Sequence, residues 1–122
     1  MSTSPFTGGT RVEVGGVSVG TDHYIGGERV SSPFTFEDRS PLDWSVKLAD
    51  VSRGDDAIAQ MAITAAVEAF PAWAALGWEQ RLVIMRRAAE LISDRLMEIS
   101  ALMAIEVGKN RIEALGETEE AA

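Results

Sequence analysis

Residues 66–122 read AVEAFPAWAALGWEQRLVIMRRAAELISDRLMEISALMAIEVGKNRIEALGETEEAA, and this stretch decides the fold. Leu82, Met85, Ala89 and Ile92 recur every three or four residues. Arg81, Arg86, Arg87 and Glu90 fill the opposite face, so a helix starting near Trp78 buries one stripe and wets the other. Ser93-Asp94 offers a stop and a new cap. A third helix carries Leu96, Ile99, Leu102 or Met103, and Glu106. Gly108 suits its left-handed terminator, and Lys109 suits the negative end of the helix dipole. A fourth helix begins near Arg111 with Ile112 and Leu115 apolar. Glu117-Thr-Glu-Glu-Ala-Ala122 puts acids where they oppose a helix dipole, so this element is expected to continue beyond Ala122.

Moving toward the N-terminus, Ile58, Met61, Ala65, Ala69 and Trp73 mark one face of an earlier helix. Ser52 is its expected cap, with Asp55 at capping-box spacing. Pro71 is expected to end or kink it near Phe70, and Gly77 is the next break. Phe70, Trp73 and Trp78 surround that proline and are expected to pack the corner between two helices. Further upstream the period changes to two. Arg11-Val-Glu-Val14 and Val17-Ser-Val19 flank Gly15-Gly16, and His23-Tyr-Ile25 and Glu28-Arg-Val30 flank Gly26-Gly27, two hairpin patterns. Thr35-Phe36 and residues 45–51 are candidate short strands, and Pro33 and Pro41 punctuate loops. Residues 1–10 are rich in Ser, Thr and Gly and are expected to be mobile. The fold class is therefore α+β: β-hairpins followed by about four amphipathic helices. Residues 1–22 form a mobile tail with a possible extra hairpin, and residues 23–122 form the main unit.

The chain has 122 residues, a net charge of −8, 46% apolar residues and no Cys. This is ordinary globular composition, sufficient for one modest domain. The acidic balance argues against nucleic acid and anionic membrane surfaces as partners. No apolar run reads as long enough to span a membrane, and the N-terminus has no basic or apolar leader pattern, so a cytoplasmic location is the simplest expectation. Without Cys there are no disulfides, thiolate metal sites or Cys nucleophile within these residues.

Gly16-Val-Ser-Val-Gly20 matches the letters of a serine nucleophile elbow. That elbow needs a strand, a strained turn and a helix. Here the surroundings read as a hairpin, which leaves Ser18 an outward strand position. His23, the only His, reads as a strand residue beside Tyr24. The acid pairs Glu37-Asp38, Asp55-Asp56 and Glu119-Glu120 are sequence neighbours that diverge on a helix and read as solvated. Gly108-Lys109 lacks the upstream glycine of a P-loop, and no Gly-x-Gly-x-x-Gly opens a helix after a strand. The residues thus nominate no catalytic, cofactor-binding or metal-ligating side chain.

Four pieces in order resemble the start of the aldehyde dehydrogenase superfamily. His23-Tyr-Ile-Gly-Gly-Glu-Arg-Val30 resembles its opening Ile-x-Gly-Glu-x-Val hairpin. Residues 55–73 resemble its first helix, which ends Ala-Phe-x-x-Trp. Residues 77–87 resemble its Pro-Glu-Glu-Arg helix start, with Trp78 in place of Pro. Glu106-Val-Gly-Lys109 resembles its Glu-Thr/Val-Gly-Lys. Ser40-Pro41 sits where the family has Asn-Pro-x-Thr-Gly-Glu, but Leu42-Asp43-Trp44-Ser45 departs from that pattern. Residues 106–116 look especially like pyrroline-5-carboxylate dehydrogenases, and the opening segment equally resembles semialdehyde dehydrogenases.

The resemblance implies an N-terminal part of an α/β, Rossmann-type cofactor domain that is incomplete at its C-terminus. It implies an enzyme oxidising an aldehyde or semialdehyde to a carboxylic acid through a Cys thiolate, a Glu-activated water and hydride transfer to NAD or NADP. In the family all those groups come later in the chain, so this segment is expected to be non-catalytic alone and to bind no cofactor alone. The family's monovalent-cation site uses backbone carbonyls at two places, matched here by Asp38 or Arg39 and by Glu106. The implied partner is the remainder of the enzyme chain or a homo-oligomer. The alternative is a non-catalytic helical interaction module or a subunit of a split enzyme.

Overall fold

A computed structural model describes residues 9–122. Expectations for residues 1–8 lie outside it. Six short strands precede four helices. They are β1 (Arg11–Val14), β2 (Val17–Gly20), β3 (His23–Ile25), β4 (Glu28–Val30), β5 (Thr35–Arg39), β6 (Lys47–Ser52), α1 (Asp56–Ala75), α2 (Trp78–Asp94), α3 (Leu96–Glu106) and α4 (Arg111–Glu120). The strands form three antiparallel pairs in sequence order.

The double glycines do what the hairpin pattern requires. Gly15 and Gly16 have φ of 58° and 82°. Two successive positive φ values define the primed turn whose twist matches antiparallel strands, and glycine adopts them without steric cost. Gly26-Gly27 repeats the device. The third pair is longer. β5 extends past Phe36 to Arg39, and β6 begins at Lys47 rather than Ser45, with a register irregularity between Asp38 and Arg39.

The helix limits correct three expectations. Asp55, not Ser52, caps α1, accepting from the Ile58 amide at 3.0 Å. Ser52 remains in β6, where it is buried and its hydroxyl donates to Asp22 Oδ1 at 3.2 Å. Pro71 does not end α1, which runs on to Ala75. Proline removes one amide donor, to the Val67 carbonyl, and at this exposed position water can take that acceptor. Finally, Ser93-Asp94 ends α2 but does not cap α3. Arg95 is the shared joint and makes no side-chain cap. α4 has a cap that the pattern reading passed over: Asn110 accepts from the amides of Ile112 and Glu113 at 3.1 and 2.9 Å. Gly108, at φ 75°, terminates α3 as expected, and Pro41 lies against it.

α3 and α4 form the tightest helical pair. Ala114 at their contact is fully buried, and Thr118 beside it is 2% exposed. The Ser100 hydroxyl lies 3.1 Å from Thr118 Oγ1 and 2.8 Å from the Leu96 carbonyl, and Thr118 donates to the Ala114 carbonyl at 2.8 Å. Elsewhere the core is thin. Among the described residues the buried apolar side chains are Val14, Val17, Ala49 and Ala114.

Candidate functional site

The serine constellation does not assemble. Ser18 sits outward on β2, where it accepts from Arg11 Nε at 2.9 Å. No helix follows β2; the chain enters β3. Asp22 is fully engaged in holding the fold. One carboxylate oxygen accepts from the Thr10 amide and the other from Ser52. His23 lies in β3, as expected, against Gly54 and the start of α1. Its Nε2 is shielded from solvent and makes no hydrogen bond. That contact joins the second hairpin to α1 and was invisible in the sequence, because Gly54 is 31 residues away.

The acid pairs act singly. Glu37 bonds Arg39 at 2.6 Å and Lys47 at 3.4 Å on the exposed face of the β5–β6 pair. The Arg39 hydrogen bond, followed by the charges of Arg39 and Lys47, holds the Glu37 carboxyl below its usual range. Asp50, 2.7 Å from Lys47, pushes that ammonium above its usual value. Asp43 is lowered by hydrogen bonds from Ser45 in the turn. Asp55 is the helix cap. Among the described residues no group of three His, Asp or Glu side chains converges on a metal position.

One long-range junction stands out. Ser40, 5% exposed, donates to the carbonyl of Ile105 at 2.9 Å. This ties the end of β5 to the last turn of α3. It brings together the two backbone stretches, around Arg39 and Glu106, that the resemblance pairs in its carbonyl site. Carbonyl ligands leave no side-chain signature, so only the fold could reveal the meeting.

Large apolar side chains lie open along α1 and α2. α1 has no buried residue. The Gly26 turn covers Ala65, and Ile58 is half-buried. Beside that partly covered stripe runs a second, Ile63-Ala66-Phe70-Trp73, spaced three, four and three residues apart. Ile63 is 56% exposed, Phe70 65% and Trp73 39%. Trp78 is 66% exposed, so the expected aromatic corner does not close within this chain. Leu82 and Met85 of the α2 stripe are open as well, while Ala89 and Ile92 are half-buried. A helix apolar on nearly every side is normally surrounded by protein or lipid. α1 also has the length and mean hydropathy of a membrane span, contrary to the sequence expectation.

The described sheets are two-stranded and antiparallel, whereas the phosphate-binding turn needs a parallel strand feeding a helix through glycines.

Comparison with known proteins accounts for these features together. Residues 30–122 match the aldehyde dehydrogenase family model. The chain is 37% identical over 87 residues to 5-carboxymethyl-2-hydroxymuconate semialdehyde dehydrogenase of Escherichia coli, covering 71% of this chain and 18% of that protein. It is 37% identical over 97 residues to 1-pyrroline-5-carboxylate dehydrogenase of Geobacillus, covering 80% and 19%. The solved NAD-dependent benzaldehyde dehydrogenase of Corynebacterium glutamicum superposes with a TM-score of 0.73 at 30% identity, covering 82% of this chain and 24% of that one. The chain thus spans about a fifth of the length of the relatives it matches. α1, the candidate span, lies wholly within the family-matched residues. Its exposed stripes and thin core are those of an α+β segment of a larger fold, and the chain belongs to the aldehyde dehydrogenase family.

Proposed function

We propose that this chain is the N-terminal segment of an NAD- or NADP-dependent aldehyde dehydrogenase that oxidises an aldehyde or semialdehyde to a carboxylic acid in the cytoplasm. Its own task is structural. The stripe Ile63-Ala66-Phe70-Trp73 and the open face of α2 dock on the cofactor-binding remainder of the enzyme. The observation that carries this reading is the combination of a family match over residues 30–122 with large apolar side chains left open on α1 and α2. Nucleophile, base and cofactor contacts belong to the remainder, and no chemical step is assigned to any residue here.

Intact mass of the protein from its native source tests the reading first. A mass several times 13.1 kDa, with aldehyde-dependent reduction of NAD or NADP, is the expected result. A native product near 13.1 kDa with no larger partner, or dehydrogenase activity in the 122-residue chain alone, overturns it. The exposed face would then favour a non-catalytic helical interaction module or one subunit of a split enzyme.

A further inference from the structure

We propose that the β1–β2 hairpin, which precedes the family-matched residues, is a clasp that fixes the C-terminal end of α3 to the strand layer. The hairpin has two unlike faces. Val12, Val14, Val17 and Val19 are buried or half-buried, while Arg11, Glu13 and Ser18 are exposed. Val14 and Val17 pair directly across the turn and supply two of the four buried apolar residues among those described. An appendage would not carry half of so small a core.

The root of the hairpin is anchored at several points. The Thr21 amide donates to the Thr10 carbonyl at 3.1 Å, and the Ser52 amide donates to the Thr21 carbonyl at 3.0 Å, joining the root to β6. The Arg29 guanidinium, reaching from the second hairpin, lies over Gly20 and donates to the Asp22 carbonyl at 3.2 Å. Four residues per strand carry the chain about 13 Å from this root to the tip. At the tip, Gly15 lies so close to the Ile105 side chain that a Cβ there would collide with Cδ1.

Ile105 is therefore held from two sides. Its side chain meets the hairpin turn, and its carbonyl accepts from Ser40 at the end of β5. A clasp anchored in β6 and closing on Ile105 fixes where the α3–α4 pair sits relative to the strands. The inference concerns these contacts alone and stands whether or not the dehydrogenase reading does.

Hydrogen exchange on the 122-residue chain, resolved by segment, tests it with two variants. Gly15→Asn keeps a residue tolerant of positive φ while adding a side chain at the contact. Ile105→Ala removes the peg without changing any residue of the hairpin. Each is expected to raise exchange at least tenfold in residues 101–108, with α1 unchanged. Ile105→Ala is also expected to raise exchange in residues 11–20, which a cavity confined to α3 would not do. Unchanged exchange in residues 11–20 on Ile105→Ala, or equal acceleration in all four helices, overturns the proposal. If Gly15→Asn does not fold, Ile105→Ala decides alone.

Discussion

Phe70→Ala should cost little in this chain and much in a complete enzyme. Full burial of a Phe side chain is worth about 1.5–3 kcal/mol. Phe70 is 65% exposed here, so the covered third contributes under about 1 kcal/mol. If the remainder of a dehydrogenase closes over α1, the same truncation removes a core side chain, at about 3–5 kcal/mol. The two contexts should differ by at least about 2 kcal/mol, roughly thirtyfold in an equilibrium constant.

Urea unfolding followed by helical circular dichroism gives the first number, and unfolding of the longer chain carrying the same residues gives the second. Phe70→Glu sharpens the contrast. In the isolated chain it interrupts an apolar stripe and should reduce association, because an exposed charge is harmless there. In the complete chain it would leave a buried, unpaired carboxylate and prevent assembly. Equal costs of Phe70→Ala in both contexts, within about 0.5 kcal/mol, would refute the claim that this face is covered.

Three further outcomes are expected. Thr118→Val keeps the buried shape but removes the hydroxyl shared with Ser100, at about 1 kcal/mol; a double-mutant cycle with Ser100→Ala should show clear coupling, and additive effects would count against the bond. Asp55→Ala should cost about 1 kcal/mol by uncapping α1, whereas Asp55→Asn should restore nearly all of it and Ser52→Ala should leave α1 helicity unchanged. Because the Glu37 carboxyl is held below its ordinary value of 4.5, its contribution to the β5–β6 pair is complete above that value and is lost as pH falls through the lowered one. Lys47, whose value is raised, behaves oppositely: its contribution is complete below 10.5 and is lost as pH rises through the higher folded value. Amide protection in β5, with the intrinsic exchange rate divided out, should fall in acid, Glu37→Gln should remove that pH dependence, and high salt should weaken it.

What was legible in the sequence depended on short range. Gly15-Gly16 and Gly26-Gly27 announced two hairpins because the turn needs that residue type at both positions. Gly108 announced the end of α3 for the same reason. Ser52 as a cap and Pro71 as a stop were overturned for separate reasons. Ser52 was claimed by a ladder with β5 and by Asp22, which lies 30 residues away, leaving Asp55 to cap. Pro71 fell on an exposed side of α1, and the helix continued to Ala75. The junctions through His23 and Gly54, Ser40 and Ile105, and Gly15 and Ile105 join residues distant in sequence, and no periodicity encodes them.

Burial failed for a different reason. The stripe through Ile58, Met61, Ala65, Ala69 and Trp73 was read correctly as apolar, yet no residue of α1 is buried. Hydrophobic spacing records what a residue meets in the assembly where its sequence was selected. Burial within this chain records only what these 122 residues cover by themselves. Where the two disagree, as at Ile63, Phe70, Trp73 and Trp78, the side chains stay exposed, and on the proposed reading they outline the docking face. The hairpin argues from the opposite direction. Val14 and Val17 are covered within the chain itself, so this element completes its packing without any outside partner. One molecule thus contains a part that is packed, where Gly15 meets Ile105, and a part that is open, along α1 and α2. Under the proposed function, the open part is the face on which the remainder of a dehydrogenase would dock.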